Sequence, residues 1–264
     1  MTASTTFEQA APTAKELTVF LARYSASLFG AGATCARLEK NIARIAAAYG
    51  KKVEAAIMPA HIHISVWNND GTDPVTAISA VARGGVSFQL NTALSRLSWK
   101  IADGKTDFAD AVGEFDEIIQ PASQRLLPVL LAVALANASF CRLFGGDTVA
   151  MAVVFVATAA GYCLKDALLS VGTDLRITLA LCAFVSSVLG ATDALFSIGC
   201  TPMTALGTSV LYLVPGIPFL NSFSDLLYKH YLCAFSRFAD AVVLTGCLSA
   251  GLCAGLFLLN FGMF

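Results

Sequence analysis

Charge is scarce in this chain: 13% of its residues are Asp, Glu, Lys or Arg, the formal net charge is −1, and no basic block occurs. That excludes a nucleic-acid partner, because phosphate backbones are held by clustered Lys and Arg. The eight cysteines form no C-x-x-C pair and no zinc-type spacing. Seven of them lie beyond residue 140 and are expected to pack as small apolar groups. The first 25 residues lack a basic stretch followed by an apolar core, so no cleavable signal is expected. G-x-S-x-G and H-E-x-x-H are also missing. Gly104-Lys-Thr106 looks like the end of a phosphate loop, but Trp99 stands where the first glycine of that loop belongs. No catalytic residue and no cofactor is expected.

What the chain has instead is apolar content: 56% hydrophobic residues and a mean hydropathy of +0.70 over 264 residues. The distribution is uneven. Residues 1–125 hold 12 Lys and Arg with 12 Asp and Glu, whereas 126–264 hold 5 and 6. The expected architecture is a cytoplasmic α+β domain, residues 1–125, followed by an α-helical membrane bundle, residues 126–264.

In the first part, Leu17, Phe20, Leu21, Tyr24 and Leu28 fall at helical spacing, and Gly30 and Gly32 stop the run. Leu38, Ile42, Ile45 and Tyr49 repeat the pattern between a Thr34 N-cap and Gly50. Arg37, Glu39, Lys40 and Arg44 lie off that stripe and read as a solvated face. The period then drops to two: 53–58 and 62–67 read as strands, with Ile62, Ile64 and Val66 on one face and His61, His63 and Ser65 on the other. The two histidines have no Cys, Asp or Glu close by in sequence, so an exposed strand face explains them better than a metal site. Asn68-Asn-Asp-Gly71 predicts a turn into a third strand, 75–82. Two helices follow, with stripes Leu90/Leu94/Leu97/Ile101 and Phe108/Val112/Phe115/Ile119, the second opened by Thr106 or Asp107.

Pro121 closes the last of these helices. Beyond it the apolar blocks 126–143, 148–164, 177–192, 194–214 and 241–259 predict five spans, since a hydrocarbon core of about 30 Å takes ~20 helical residues. Asp193 either turns a hairpin or sits inside one long stretch from 177 to 214. With the first domain cytoplasmic, Arg125, Lys165, Arg176, Lys229 and Arg237 fall on the cytoplasmic side and only Arg142 outside, which is the expected asymmetry. Phe264 then ends outside. The chain reads as a multi-pass protein of the bacterial cytoplasmic (inner) membrane. Gly251-x-x-x-Gly255 would let another helix approach closely.

The point on which the membrane part turns is Pro215-Gly-Ile-Pro218. Two prolines three apart interrupt any continuous helix, freeing backbone groups that protein or a water-filled cavity must satisfy. Ser222-x-x-Asp225 reads as a capping box opening a short helix, whose N-terminus would favour a carboxylate. Pro215, Gly216, Pro218, Asn221, Ser222 and Asp225 are the candidate substrate-binding residues. A charge within the bilayer costs at least ~2.5 kcal/mol, so Asp193, Asp147 and Arg142 are the candidates for proton or ion coupling.

These residues resemble the threonine/serine exporter family, in particular the longer component of its split, two-component form, some members of which are implicated in succinate export. The similarity rests on Phe29-Gly-Ala-Gly-Ala-Thr-Cys-Ala-Arg37 with the helix to Gly50, on Phe144-Gly-Gly146, and on Pro215-Gly-Ile-Pro218 with Asn221 and Asp225. The resemblance implies export of succinate-type dicarboxylates or of threonine and serine, driven by an ion or proton gradient. Fused members carry a second hydrophobic half, so a separate small hydrophobic membrane subunit is implied as partner, in a homo- or hetero-oligomer within the lipid bilayer. The competing reading is a membrane-anchored metabolite sensor or scaffold whose soluble domain binds a ligand or a protein.

Overall fold

The computed structural model describes residues 12–67, 74–82, 85–120, 126–196 and 199–259. The turn expected at Asn68-Asn-Asp-Gly71, the stop at Pro121, and Arg125 and Phe264 lie outside them. The chain forms two compact units, one of Met1–Ala122 with Ile217–Phe238, the other of Ser123–Gly216 with Ala239–Phe264.

In the first unit α1 (Ala14–Gly30) opens on a capping box: Thr13 Oγ1 accepts from Glu16 N–H and the Glu16 carboxylate accepts from Thr13 N–H. Thr34 caps α2 (Cys35–Ala48), and Gly50, at φ +63°, follows its end. Strands β1 (Lys52–Ile57), β2 (His61–Trp67) and β3 (Val75–Ala80) pair antiparallel in chain order. That register sets Ile62, Ile64 and Val66 fully buried on the face that α1 covers, and leaves His61 exposed on the other. Among the described residues no group of three His, Cys, Asp or Glu side chains comes together. Ser87 caps α3 (Phe88–Ala102) and Asp107 caps α4 (Phe108–Ile118). The predicted stripes meet in one core, where the Phe20 ring packs edge-on against Phe108 and Phe115. Tyr24 is fully buried, its hydroxyl donating to Leu94 O at 2.8 Å, and burial pushes its pKa well above the usual tyrosine value.

The second unit holds α5 (Leu126–Leu143), α6 (Thr148–Ser170), α7 (Leu175–Gly190), α8 (Thr192–Phe196), α9 (Pro202–Ser209) and a 3-10 turn at Leu211–Leu213. The block expected as one span over 194–214 is therefore broken. Pro202 opens α9, where its missing N–H is harmless, and could not have continued a helix from α8. After Val214 and Pro215 come α10 (Gly216–Leu227) and α11 (Tyr231–Leu258). Almost all of α10 belongs to the first unit, as do residues 231–238 of α11, while the rest of α11 belongs to the second. Among the described residues three helices, α5, α6 and α11, are long and apolar enough to cross a membrane, or four if the pair flanking Pro215 counts as one broken span. Five were expected. The shortfall comes from the break before Pro202 and from α7, which at 16 residues is a shorter apolar helix.

The second unit is inverted relative to a water-soluble protein. Its buried positions include Asn137, Thr158, Ser186, Ser187 and Ser209, with Ala134, Ala138, Ala157 and Ala205. Its exposed positions include Leu127, Leu135, Phe140, Val156, Leu181, Val243 and Phe257. Small and polar groups between helices, with large apolar side chains outward, is the arrangement a lipid solvent selects. Of the cysteines expected to be buried, Cys141, Cys182 and Cys233 are; Cys163, Cys200 and Cys253 are exposed. For Cys163 and Cys253, an outward position on an apolar helix costs nothing in lipid. Gly251 and Gly255 of α11 lie against α7, where an added Cβ would strike Ala180 O and Ser187 Oγ. The close approach expected of that spacing is thus made within the chain.

Candidate functional site

Two of the three stretches that carried the family resemblance, the one from Phe29 and the one ending in Asn221 and Asp225, meet in the first unit. Between α1 and α2 the chain turns through Gly30, Ala31, Gly32 and Ala33. Gly32 holds φ +86°, and a Cβ on Gly30 would lie 2.9 Å from Ala82 O, so glycine is required at both. Asn221 Nδ2 donates to Gly32 O at 2.8 Å, and Arg237 donates to Ala33 O at 2.7 Å. Asp225, fully buried, accepts from Cys35 N–H at 2.8 Å, at the first turn of α2. Its other oxygen lies 3.0 Å from the Arg237 guanidinium, an ion pair whose alignment falls short of a hydrogen bond. Arg237 also covers the Phe29 ring at 4.4 Å.

This geometry corrects two expectations. Ser222 and Asp225 do not open a helix; they sit inside α10, Ser222 Oγ donating to Ala234 O at 2.8 Å. The helix begins at Gly216, so the interruption lies at Val214 and Pro215, while Pro218 falls in the first turn, where a proline is tolerated. Of the six candidate substrate-binding residues, Asn221, Ser222 and Asp225 have their side chains engaged in this joint. Pro215, Gly216 and Pro218 shape the start of α10.

Asp147 and Asp193 come together in the second unit. Asp147 caps α6, accepting from Ala150 N–H at 2.7 Å and from Cys200 N–H at 2.6 Å, while its own N–H donates to Thr201 Oγ1. The first two of those N–H groups hold its carboxyl below the usual carboxylate range. Asp193 is fully buried in α8 and accepts from Gly199 N–H at 2.7 Å through one oxygen, while the other has no hydrogen-bond partner among the described residues. Both carboxylates face one spot: a Cβ on Gly199 would lie 2.8 and 2.9 Å from the Asp193 oxygens and 3.0 Å from Asp147 Oδ2. Arg142 instead donates to Gly146 O at 3.0 Å, closing the Phe144-Gly-Gly146 turn, whose Gly145 holds φ +85°.

The polar interior that the apolar blocks concealed is built around α9 and the turn after it. Asn137 donates to Thr158 Oγ1 at 2.7 Å and to Thr208 O at 3.0 Å, and Ser186 Oγ lies 3.0 Å from the Tyr212 hydroxyl. Gly161 leaves room for both of the latter, since an added Cβ would strike them. The sequence signal was present but faint: Asn137 is the one side-chain amide in its block, and Tyr212 lies three positions before Pro215.

Residues 19–259 match the family model described as "Putative threonine/serine exporter". A protein of Klebsiella aerogenes named "Probable succinate transporter subunit YjjP" is 28% identical over 216 residues, covering 81% of this chain and 83% of that one. A protein of the same name from Escherichia coli strain K12 is 31% identical over 128 residues, covering 48% of this chain and 50% of that one. No solved structure matches. With the family model spanning nearly its whole length, and with apolar helices to set in a bilayer, this chain belongs to the threonine/serine exporter family, a family of multi-pass membrane transporters and not of enzymes.

Proposed function

We propose that the chain is one subunit of a secondary-active exporter of small carboxylate-bearing metabolites, succinate-type dicarboxylates or threonine and serine, in the bacterial cytoplasmic membrane. It works with a second, small hydrophobic membrane subunit. The observation that carries this reading is the inverted second unit, in which helices with apolar outer faces enclose hydroxyl and amide groups and a buried acid. Groups of this kind inside a membrane protein mark substrate and ion paths. The word "subunit" in the relatives' names supports a partner. A carboxylate is the group shared by the family's amino acids and the relatives' succinate. Gly216 N–H donates to Val214 O at 2.8 Å, and the N-terminal end of α10 beyond it, after the break at Pro215, favours such an anion.

Asp193 is the coupling residue in this reading. It is a fully buried acid beside Asp147, and one of its oxygens has no hydrogen-bond partner among the described residues. Proteoliposomes holding this chain and its partner subunit provide the test. Labelled substrate should leave under an imposed proton gradient. Asp193→Asn should lose the gradient-driven component by tenfold or more while retaining substrate exchange at equal concentrations on both sides. If succinate, threonine and serine all remain inside with both subunits present, the transport assignment fails; if Asp193→Asn is driven normally, the coupling assignment fails.

A further inference from the structure

The face of α2 that the sequence presents as solvated is not an ordinary surface. Arg37, Lys40 and Arg44 recur at helical spacing, and with α3 they line a groove of about 490 Å³ that also takes in Thr92, Ser95 and Trp99, with Ser224 and Tyr228 on its wall. No carboxylate belongs to that lining. Arg23, Lys100, Lys105 and Arg237 of the same unit each pair with an acid, whereas Arg37, Lys40 and Arg44 have none within ion-pair distance among the described residues. Glu39, the acid adjacent in sequence, lies 3.4 Å from His230 instead.

The two guanidinium groups are braced from below. Arg37 donates to the buried Asn91 amide oxygen at 3.2 Å. Arg44 donates to the buried Asn41 oxygen at 2.9 Å and to the buried Ser98 hydroxyl at 2.7 Å, and stacks on the Trp99 ring at 3.7 Å. Asn41 is itself fixed by donating to Tyr24 and Ser95 hydroxyls. Burying two amides beneath a charged face costs free energy that solvation alone would not require; it holds the cations in place ahead of a ligand. Arg44 stands seven positions after Arg37, about 10 Å along the helix axis, so the positive charge is spread along a line and not gathered at one point. A single monovalent carboxylate would leave most of it unanswered.

We propose that this groove is a binding site for a small anion carrying two or more anionic groups, taken by their carboxylate or phosphate oxygens. Arg37 and Arg44 hold the two ends, Lys40 sits between them, and the hydroxyls of Thr92, Ser95 and Ser224 accept or donate along the length. The site does not depend on the transport reading, since it would serve equally for recognition of cargo or for control by a charged metabolite.

The test uses the full chain in phosphatidylcholine nanodiscs, which offer no anionic lipid, with Trp67→Phe so that Trp99 is the single tryptophan of the two. Labelled succinate and labelled pyrophosphate are followed by equilibrium dialysis, and Trp99 emission reports where they bind. At least one should bind saturably, shift Trp99 emission and weaken with added salt, and threonine should bind at least tenfold more weakly. Lys40→Gln with Arg37→Gln, at exposed positions, should lower affinity tenfold or more with unchanged thermal unfolding. Which ligand responds distinguishes carboxylate from phosphate recognition. The proposal is overturned if neither binds saturably, if threonine binds as tightly, or if binding survives the double substitution. Survival would place the ligand elsewhere in the chain and leave the transport reading intact.

Discussion

Asp225 has a carboxylate with two partners and no contact with water: one oxygen on the Cys35 N–H and the other beside Arg237. Removing one member of such a pair strands the other charge in a dry site. Asp225→Asn should therefore cost about 3–5 kcal/mol of stability, whereas replacing both residues with apolar ones of similar size should recover much of that loss. Thermal unfolding of the single and double variants in detergent checks this. The role was not legible in the sequence. Ser222-x-x-Asp225 has the spacing of a capping box, and only the tertiary partners of both residues decide between a cap and a lock. Arg237 counted merely as one basic residue flanking a span, because nothing local ties it to an acid twelve positions earlier. Asp193 was legible as an anomaly: an acid with apolar blocks on both sides has few places to go.

At the level of helices and strands, periodicity located α1 to α4 and the strands between them, but not the return of α10 and the start of α11 to the same unit. Thr34, Asp107 and the alternation in 62–67 are short-range signals, and the stop at Gly50 is too. The second unit was harder, because residues 194–214 are apolar almost throughout and hydropathy does not register where a helix ends. Pro202 and the Asp193 to Gly199 hydrogen bond do. The glycines of α11 were read for their spacing, and the close approach they permit is to α7. A larger side chain there would strike backbone as well as side chain, so Gly251→Leu should separate the two helices and cost about 1–3 kcal/mol or more. Lowered unfolding temperature and raised protease sensitivity of the second unit are the expected measurements.

For the whole molecule, charge asymmetry predicts which turns lie on which side of the membrane, and the structure adds a constraint. Asp147 and Cys200 with Thr201 are hydrogen-bonded to one another, so the α5–α6 turn and the segment before α9 share a side. Under the proposed orientation that side is external, and the α6–α7 turn is cytoplasmic. In intact cells a membrane-impermeant thiol reagent should label Cys200, which is exposed. It should not label a cysteine at the exposed Val171 position until the cells are opened. The reverse pattern would invert the topology. Function class was legible from composition and three short motifs; what the motifs do was not, since Asn221 and Asp225 hold the α1–α2 turn through partners some 190 positions away in sequence.

That distance governs synthesis. The first unit is discontinuous, and its amino-terminal helices receive Asn221, Asp225 and Arg237 only after every helix of α5 to α9 has been translated. Until residue 238 leaves the ribosome, the Gly32 and Ala33 carbonyls and the Cys35 amide must wait in water or on a chaperone. A chain cut at 125 never acquires those three side chains.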